Sequence, residues 1–263
     1  MVYFRHLGEE EKKQGINSGF GNGLFQIAAA VGLAELNNDI AIFPHWRFNK
    51  YFECGIKEDF ASNFKITKEF VEPVFNYIKI PYTNGINLFG YFQLEKYFYH
   101  CKDKIIKLFT LKDEYEFDLK EKWKIQLKNS VSIHVRRGDY ISPEHVTSII
   151  FTQKMDYFDN SIKYIESLKN IDNILVFSDD IKWCQENFHD SRCIFVKDQI
   201  EIFDMFLMSY CENNITTNST FSWWGSWLNR NDNKIITIPK NWFSPHIPRE
   251  RSADLYRNDM IVI

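Results

Sequence analysis

The sequence predicts an α/β protein whose more legible half is a parallel sheet with helices on both faces, and three observations carry that expectation. Between residues 131 and 239, short apolar runs alternate with segments of helical periodicity, the pattern of strands joined by helical crossovers. Polar clusters follow several of those runs, and parallel sheets bind ligands outside the carboxyl ends of their strands. A length of 263 residues allows one large domain or two halves of similar size.

Taken in chain order, "VYFRHL" (2–7) reads as an opening strand. Residues 21–38 read as a helix with Leu24, Ile27, Ala28, Val31 and Ala34 on one side, and 40–44 as a strand. From 50 to 125 the chain breaks into aromatic, lysine-rich pieces whose order is not legible. The charged stretch "DEYEFDLKEKWKIQLKNS" (113–130) precedes the clearer half. The division is set there, with an N-terminal α/β domain over 1–125 and a C-terminal Rossmann-like domain over 126–263.

In the second half, Val131, Ile133 and Val135 alternate with Ser132 and His134, the mark of a half-buried strand. Met155, Phe158, Ile162, Ile165 and Leu168 share one face of a helix. Strands follow at 173–177, 193–196, 213–217 and, as the last, 234–239, separated by helices at 181–188, 201–211 and 221–229. "RRGDY", "SDD" and "NSTF" follow the first, second and fourth strands, so they are expected to gather at one rim.

Composition narrows the function classes. With 32 Lys and Arg against 35 Asp and Glu, the net charge of −3 argues against nucleic acid as a partner. Any cationic site must be local. Five scattered cysteines without a CxxC pair read as reduced core residues of a cytosolic protein. The first residues are too charged for a signal peptide, and no apolar run approaches the ~18 residues of a membrane span. A cytoplasmic location follows as the expectation. Aromatic residues make up 17% of the chain, serving either as core or as stacking surfaces for sugars and bases. Trp223, Trp224 and Trp227 lie at helical spacing and read as packing.

The motif "HVRRGD" poses the central question. Arg136 and Arg137 at the end of a strand need anions. Those are either the carboxylates of Asp139, Asp179 and Asp180 or the phosphates of a ligand, which planar guanidinium forks suit well. His134 is either a satisfied core residue or part of that site. "NSTFSWWGSW" offers hydroxyls and backbone amides at a helix start, a phosphate-compatible arrangement. "GFGNG" (19–23) precedes a helix, so its glycines either let the backbone approach an anionic ligand at the helix N-terminus or form a plain tight turn; G-x-G-x-x-G fails at Leu24, which argues against a dinucleotide fingerprint. The sequence has no Asp-x-Asp, no His/Cys cluster and no P-loop. A diphosphate bound here would be neutralised by arginine and helix ends, without a metal.

"HVRRGDY", "VFSDD", "TNSTFSWWGSWL" and the upstream "GYFQLEKYF" (90–98) together resemble the α-1,2-fucosyltransferases of glycosyltransferase family 11, bacterial type. "GFGNGLFQIAAAVGLAELNN" (19–38) resembles that family's Gly-Asn-Gln loop and helix. The resemblance implies a GT-B fold, two Rossmann-like domains facing across a cleft, the first on the acceptor side and the second binding GDP-β-L-fucose. It implies metal-independent, inverting transfer to the 2-hydroxyl of a galactose on a glycan acceptor, lipid-linked and met at the inner membrane face. Carried over by motif, it gives Arg136 the β-phosphate with Arg137 in support, and sets His134 and Asp204 on the guanine or ribose side. Ser219, Thr220 and Phe221 cradle the diphosphate, and Asn22 reaches the donor from the first half. Asp139 and Glu144 are the candidate bases, Glu144 by its place in related α-1,6 enzymes. Two departures stand out: Gly23 replaces the usual glutamine, and "EEEKKQGINS" (9–18) is an extra charged segment.

Overall fold

A computed structural model describes residues 1–7, 19–59, 63–141 and 151–263. The chain divides into two compact units, Met1–Glu116 with Ala253–Leu255, and Phe117–Ser252 with Tyr256–Ile263. The change of unit thus comes at Glu116, ahead of the division at 125 read from the sequence, and a short later segment returns to the first unit. The extra segment 9–18 lies outside the described residues.

The first unit carries a four-stranded, all-parallel sheet. Its strands are β1 (Val2–Tyr3), β2 (Ala41–Ile42), β3 (Lys68–Val71) and β4 (Ile86–Phe89), in the order β2-β1-β4-β3. Helix α1 (Phe20–Leu36) joins β1 to β2. It is buried on nearly every side rather than along the one stripe expected, because small residues such as Ala28, Ala29 and Ala30 allow close packing all round. Two shorter helices follow, α2 (Lys102–Leu108) and α3 (Asp113–Lys122), and the change of unit falls within α3. The opening strand is confined to Val2–Tyr3, shorter than the 2–7 expected.

The second unit holds a six-stranded parallel sheet. Strand β5 (Ser130–Val135) lies at its centre, then α4 (Met155–Glu166), β6 (Asn173–Ser178), α5 (Ile181–Asn187) and β7 (Cys193–Phe195) run to one edge. Next, α6 (Glu201–Tyr210), β8 (Asn213–Ile215), α7 (Thr220–Leu228), β9 (Ile236–Ile238) and β10 (Met260–Val262) run to the other. The order β10-β9-β8-β5-β6-β7 is the doubly wound Rossmann order, and its switch point falls between β5 and β8. Strand β9 is therefore not the last, since β10 pairs with it in parallel.

Strand β5 corrects a second expectation. All six of its residues are buried, not three, because it pairs with neighbours on both edges and is covered on both faces. Its alternation separates two kinds of interior. Val131, Ile133 and Val135 pack with Phe158, Ile162, Ile165, Ile174 and Val176 in the apolar core. The alternate residues are satisfied by hydrogen bonds: Glu212 N–H donates to Ser130 Oγ (3.1 Å) and Asn214 Nδ2 to Ser132 Oγ (2.8 Å). Each such buried bond contributes about 1 kcal/mol, and losing one partner costs more.

Three further readings change. Leu168 is exposed, beyond the end of α4 at Glu166. Cys54 is exposed rather than part of the core, whereas Cys101, Cys184 and Cys211 are buried and all five thiols are free. Trp223, Trp224 and Trp227 are buried packing residues, with edge-to-face contacts of Trp224 to both others.

Candidate functional site

Strand register assembles the site in the second unit. Because β5 and β6 pair with Val135 opposite Ser178, the residues that leave them, Arg136–Arg137 and Asp179–Asp180, emerge side by side. Pairing of Ile133 with Ile215 brings Thr216–Ser219 to the other flank of β5. The three sequence clusters meet at the switch-point rim, where doubly wound sheets bind ligands.

Both arginines have protein carboxylates, and the two are held differently. Arg137 Nε pairs with Asp180 Oδ2 at 3.1 Å, and its guanidinium lies 4.1 Å from the centre of the Trp183 ring. Asp180 also caps α5, accepting from Trp183 N–H at 3.1 Å. That backbone bond, with Arg137 next, holds its carboxyl below the usual range. Arg137 is thereby fixed in the fold, with its side chain 17% exposed. Arg136 is twice as open, at 34%, and bridges Asp179 Oδ2 (2.9 Å) and Asp139 Oδ1 (2.7 Å). Asp139 Oδ1 is in charge contact there without an aligned hydrogen bond. Two cations against three carboxylates leave the cluster with one net negative charge. A phosphate oxygen binding Arg136 must therefore displace or supplement Asp139.

Gly138 explains itself by space. A Cβ there would run into the Asp179 carboxylate, whose Oδ1 accepts the Arg137 N–H at 2.9 Å. The glycine lets the chain turn tightly over the carboxylate that orients Arg136.

On the other flank, Ser219 is the N-cap of α7, its Oγ accepting from Phe221 N–H. Ser222 Oγ donates to Ser219 C=O (3.2 Å) and accepts from Thr217 N–H (3.1 Å). The helix start that carries Thr220 and Phe221 is thus rigid, and its amides favour an anion. His134 is buried, its Nδ1 3.2 Å from Thr217 Oγ1 and its ring 5.3 Å from that of Phe221. Burial first, and then the Arg136 charge, press its pKa well below the ordinary value. It is neutral at neutral pH, able to accept or donate one bond without adding charge.

Sequence reasoning overlooked Tyr140, Thr217 and Asn218. Tyr140 OH donates to the Asn218 carbonyl (3.0 Å), with the Arg136 guanidinium 5.7 Å from its ring. Asn218 in turn donates to Phe151 C=O (2.9 Å) and accepts from Gln153 Nε2 (3.0 Å). The signal was adjacency, since Tyr140 closes "RRGDY" and Thr217–Asn218 open "TNSTF".

The remaining candidates stand apart from this cluster. Asp204, on the first turn of α6, accepts from Gln199 Nε2 at 3.0 Å, and burial pushes its pKa up to about 6. Asn22 belongs to the first unit, on the first turn of α1, where its Oδ1 accepts from Gln93 Nε2 at 3.0 Å. Trp46 Nε1 lies 3.5 Å from where a Cβ on Gly23 would stand. The indole fills the space beside the glycine that replaces the usual glutamine. Glu144 lies outside the described residues. Among the described residues, no cluster of three or more His, Cys, Asp or Glu is arranged to hold a metal ion.

Comparison with known proteins bears on this geometry. The glycosyl transferase family 11 profile matches residues 56–263. The O-antigen biosynthesis glycosyltransferase WbnK of Escherichia coli is 36% identical over 224 residues, 82% of this chain and 72% of that protein. An alpha-1,2-colitosyltransferase of Escherichia coli is 38% identical over 165 residues, 60% of this chain and 57% of its own length. Galactoside alpha-(1,2)-fucosyltransferase 2 of Oryctolagus cuniculus is 24% identical over 193 residues, and the chain spans 52% of it. The solved structure of NodZ alpha-1,6-fucosyltransferase soaked with GDP-fucose superposes with a TM-score of 0.52 at 14% identity, over 86% of this chain and 91% of that one. That likeness, with the two parallel sheets, shows the GT-B fold. The chain belongs to glycosyl transferase family 11.

Proposed function

We propose that the chain transfers L-fucose from GDP-β-L-fucose to the 2-hydroxyl of a galactose in a glycan, with inversion and without a metal ion. The observation that carries this reading is Arg136. In a family 11 chain, it is the more open of two register-aligned arginines at the switch-point rim, beside a capped helix start. In this reading the acceptor oxygen attacks the anomeric carbon in line as the bond to the β-phosphate breaks. Arg136 and the positive end of the α7 helix start, at Ser219, Thr220 and Phe221, take up the negative charge that develops on departing GDP. Arg137 and Ser219 hold that frame. His134, neutral and buried, offers the nucleotide a hydrogen bond, Asp204 serves the guanine or ribose side, and Asn22 is a substrate contact from the first unit. The acceptor proton passes to a carboxylate, Glu144 or Asp139.

The donor sugar admits a second reading, favoured by the colitosyltransferase likeness: colitose, the 3-deoxy counterpart of L-fucose, carried on the same GDP. A third outcome, a nucleotide-sugar-binding module without turnover, is tested by the same assay. The name of WbnK refers to O-antigen biosynthesis, which supports a surface glycan, lipid-linked and met at the membrane face, as acceptor. No helix among the described residues is long and apolar enough to cross a membrane.

The experiment is GDP release and product linkage analysis with GDP-fucose, GDP-colitose and β-galactoside acceptors in EDTA. An α-1,2 product from GDP-fucose at an EDTA-insensitive rate is expected. No GDP release with any β-galactoside counts against transfer, and preference for GDP-colitose moves the assignment to the second donor.

A further inference from the structure

The first sheet has an organised rim of its own. Its order, β2-β1-β4-β3, sets β1 and β4 side by side at the centre. The segment that leaves β4 and the first turn of α1 border the side on which parallel sheets bind ligands. The segment after β4 has an unusual backbone: Gly90 at φ +153° and Phe92 at φ +50°. The first conformation belongs to glycine, and the second is uncommon for a bulky residue. Such strain persists only where the surroundings over-determine it, and it concentrates at functional sites.

The determining group is Glu72, the residue after β3. Its Oε2 accepts both the Tyr91 N–H at 2.7 Å and the Phe92 N–H at 2.9 Å, the arrangement in which consecutive amides cradle an anion. Its own N–H donates to Phe89 C=O at 2.8 Å, and a Cβ on Gly90 would strike its side chain. The turn so held meets α1 through two hydrogen bonds. Gln26 Nε2 donates to Gly90 C=O (3.0 Å), and Gln93 Nε2 donates to Asn22 Oδ1 (3.0 Å). An amide side chain can face either way, and the bond between Gln93 and Asn22 ties the two orientations to one another.

We propose that Glu72 is a positioning residue for the transfer reaction: by clamping the Tyr91 and Phe92 amides it fixes Gln93, which orients the Asn22 amide on α1. This rests on the reading of Asn22 as a substrate contact. Glu72 acts through two hydrogen-bonded steps joined by the Phe92–Gln93 peptide, so its removal is felt at Asn22 rather than as a loss of its own contact with substrate.

The test is a double-mutant cycle in the purified chain, with kcat and KM measured for donor and acceptor alongside thermal unfolding. Glu72→Ala is expected to lower kcat about tenfold, in keeping with the sensitivity of transfer reactions to misplacement of a group by an ångström. Glu72→Gln keeps an accepting oxygen and is expected to restore most of that loss. Combined with Asn22→Ala, Glu72→Ala should cost no further rate, because both remove the same oriented amide. Multiplying losses, or full kcat in Glu72→Ala, overturns the proposal. Should Glu72→Ala not fold, Gln93→Leu takes its place in the cycle with Asn22→Ala, and multiplying losses there also overturn it. If the native chain transfers no sugar from any donor, the reading of function fails separately. NMR then decides the positioning claim. Side-chain amide resonances of Gln93 and Asn22 that shift in Glu72→Ala and return in Glu72→Gln support it, and resonances that stay in place overturn it.

Discussion

The second sheet ends in two arginines and three aspartates, whereas the segment leaving the first sheet organises Asn22, Gln26 and Gln93 around one carboxylate, Glu72. Both rims belong to parallel sheets, yet one is built from full charges and the other from amide dipoles. On the proposed function, the difference fits two kinds of ligand. A diphosphate is recognised by charge and helix amides. Sugar hydroxyls, which both donate and accept, are matched by amide side chains that do the same.

The sharpest way to break that comparison is to remove the open cation. Arg136→Ala should weaken GDP binding at least tenfold by calorimetry, since a hydrogen bond to a charged group contributes roughly 1.5–3 kcal/mol. Unchanged GDP affinity would end the phosphate role. Arg137→Ala should instead show mainly as lost stability, about 1–3 kcal/mol in denaturant unfolding, because Asp180 and Trp183 lose their shared partner.

Acidity separates two groups of the second unit by sign. The folded His134 pKa lies below its unfolded value, so the unfolded chain binds the extra proton. Its contribution is complete above about pH 6.5 and is lost as the pH falls, by up to ~1.4 kcal/mol per unit. Asp204 runs the other way. With its pKa up at about 6, the folded chain holds a proton that the unfolded one has released, so stability from this group rises as pH falls from about 6 to 4. Asp204→Asn should therefore stabilise the chain at pH 7 by about 1–3 kcal/mol, and urea unfolding at pH 5 and 7 separates it from His134→Asn. The smallest expected effect is at Asp139. Asp139→Asn removes the poorly aligned competitor for Arg136 and should tighten GDP binding a few-fold, on the order of 1 kcal/mol. A fall in kcat in the same variant would mark Asp139 as the base.

Legibility in the sequence followed the kind of burial. The second half was readable because its strands are short apolar runs punctuated by polar clusters, and those clusters proved to meet at one rim. Misreadings came where context overrode pattern. Strand β5 alternates as though half-exposed, but its polar residues lie in a hydrogen-bonded interior. Residues 50–125 resisted because β3 is an edge strand with no buried residue and so shows no apolar period. Nearby rings pack by stacking, as Trp46 does with Phe20 and Phe52, rather than in stripes. Strand β10 escaped notice as three residues at the end of a polar stretch. At the site, the residue types were readable but their partners were not. The division of labour between Arg136 and Arg137 depends on Trp183 and Asp180, more than 40 residues downstream.

The pairing of β5 with β6 has a consequence for how the chain reaches its native state. A one-residue slip between these strands would turn His134 and Ser132 to the apolar face and part Arg136 and Arg137 from Asp179 and Asp180. Misaligned forms would thus lose those ion pairs and set polar side chains among apolar ones, and would be less stable on that account. The aspartates that compete with a ligand for the arginines also favour the native alignment of the two strands. A chain that has assembled its sheet faithfully has, in the same step, assembled its binding rim.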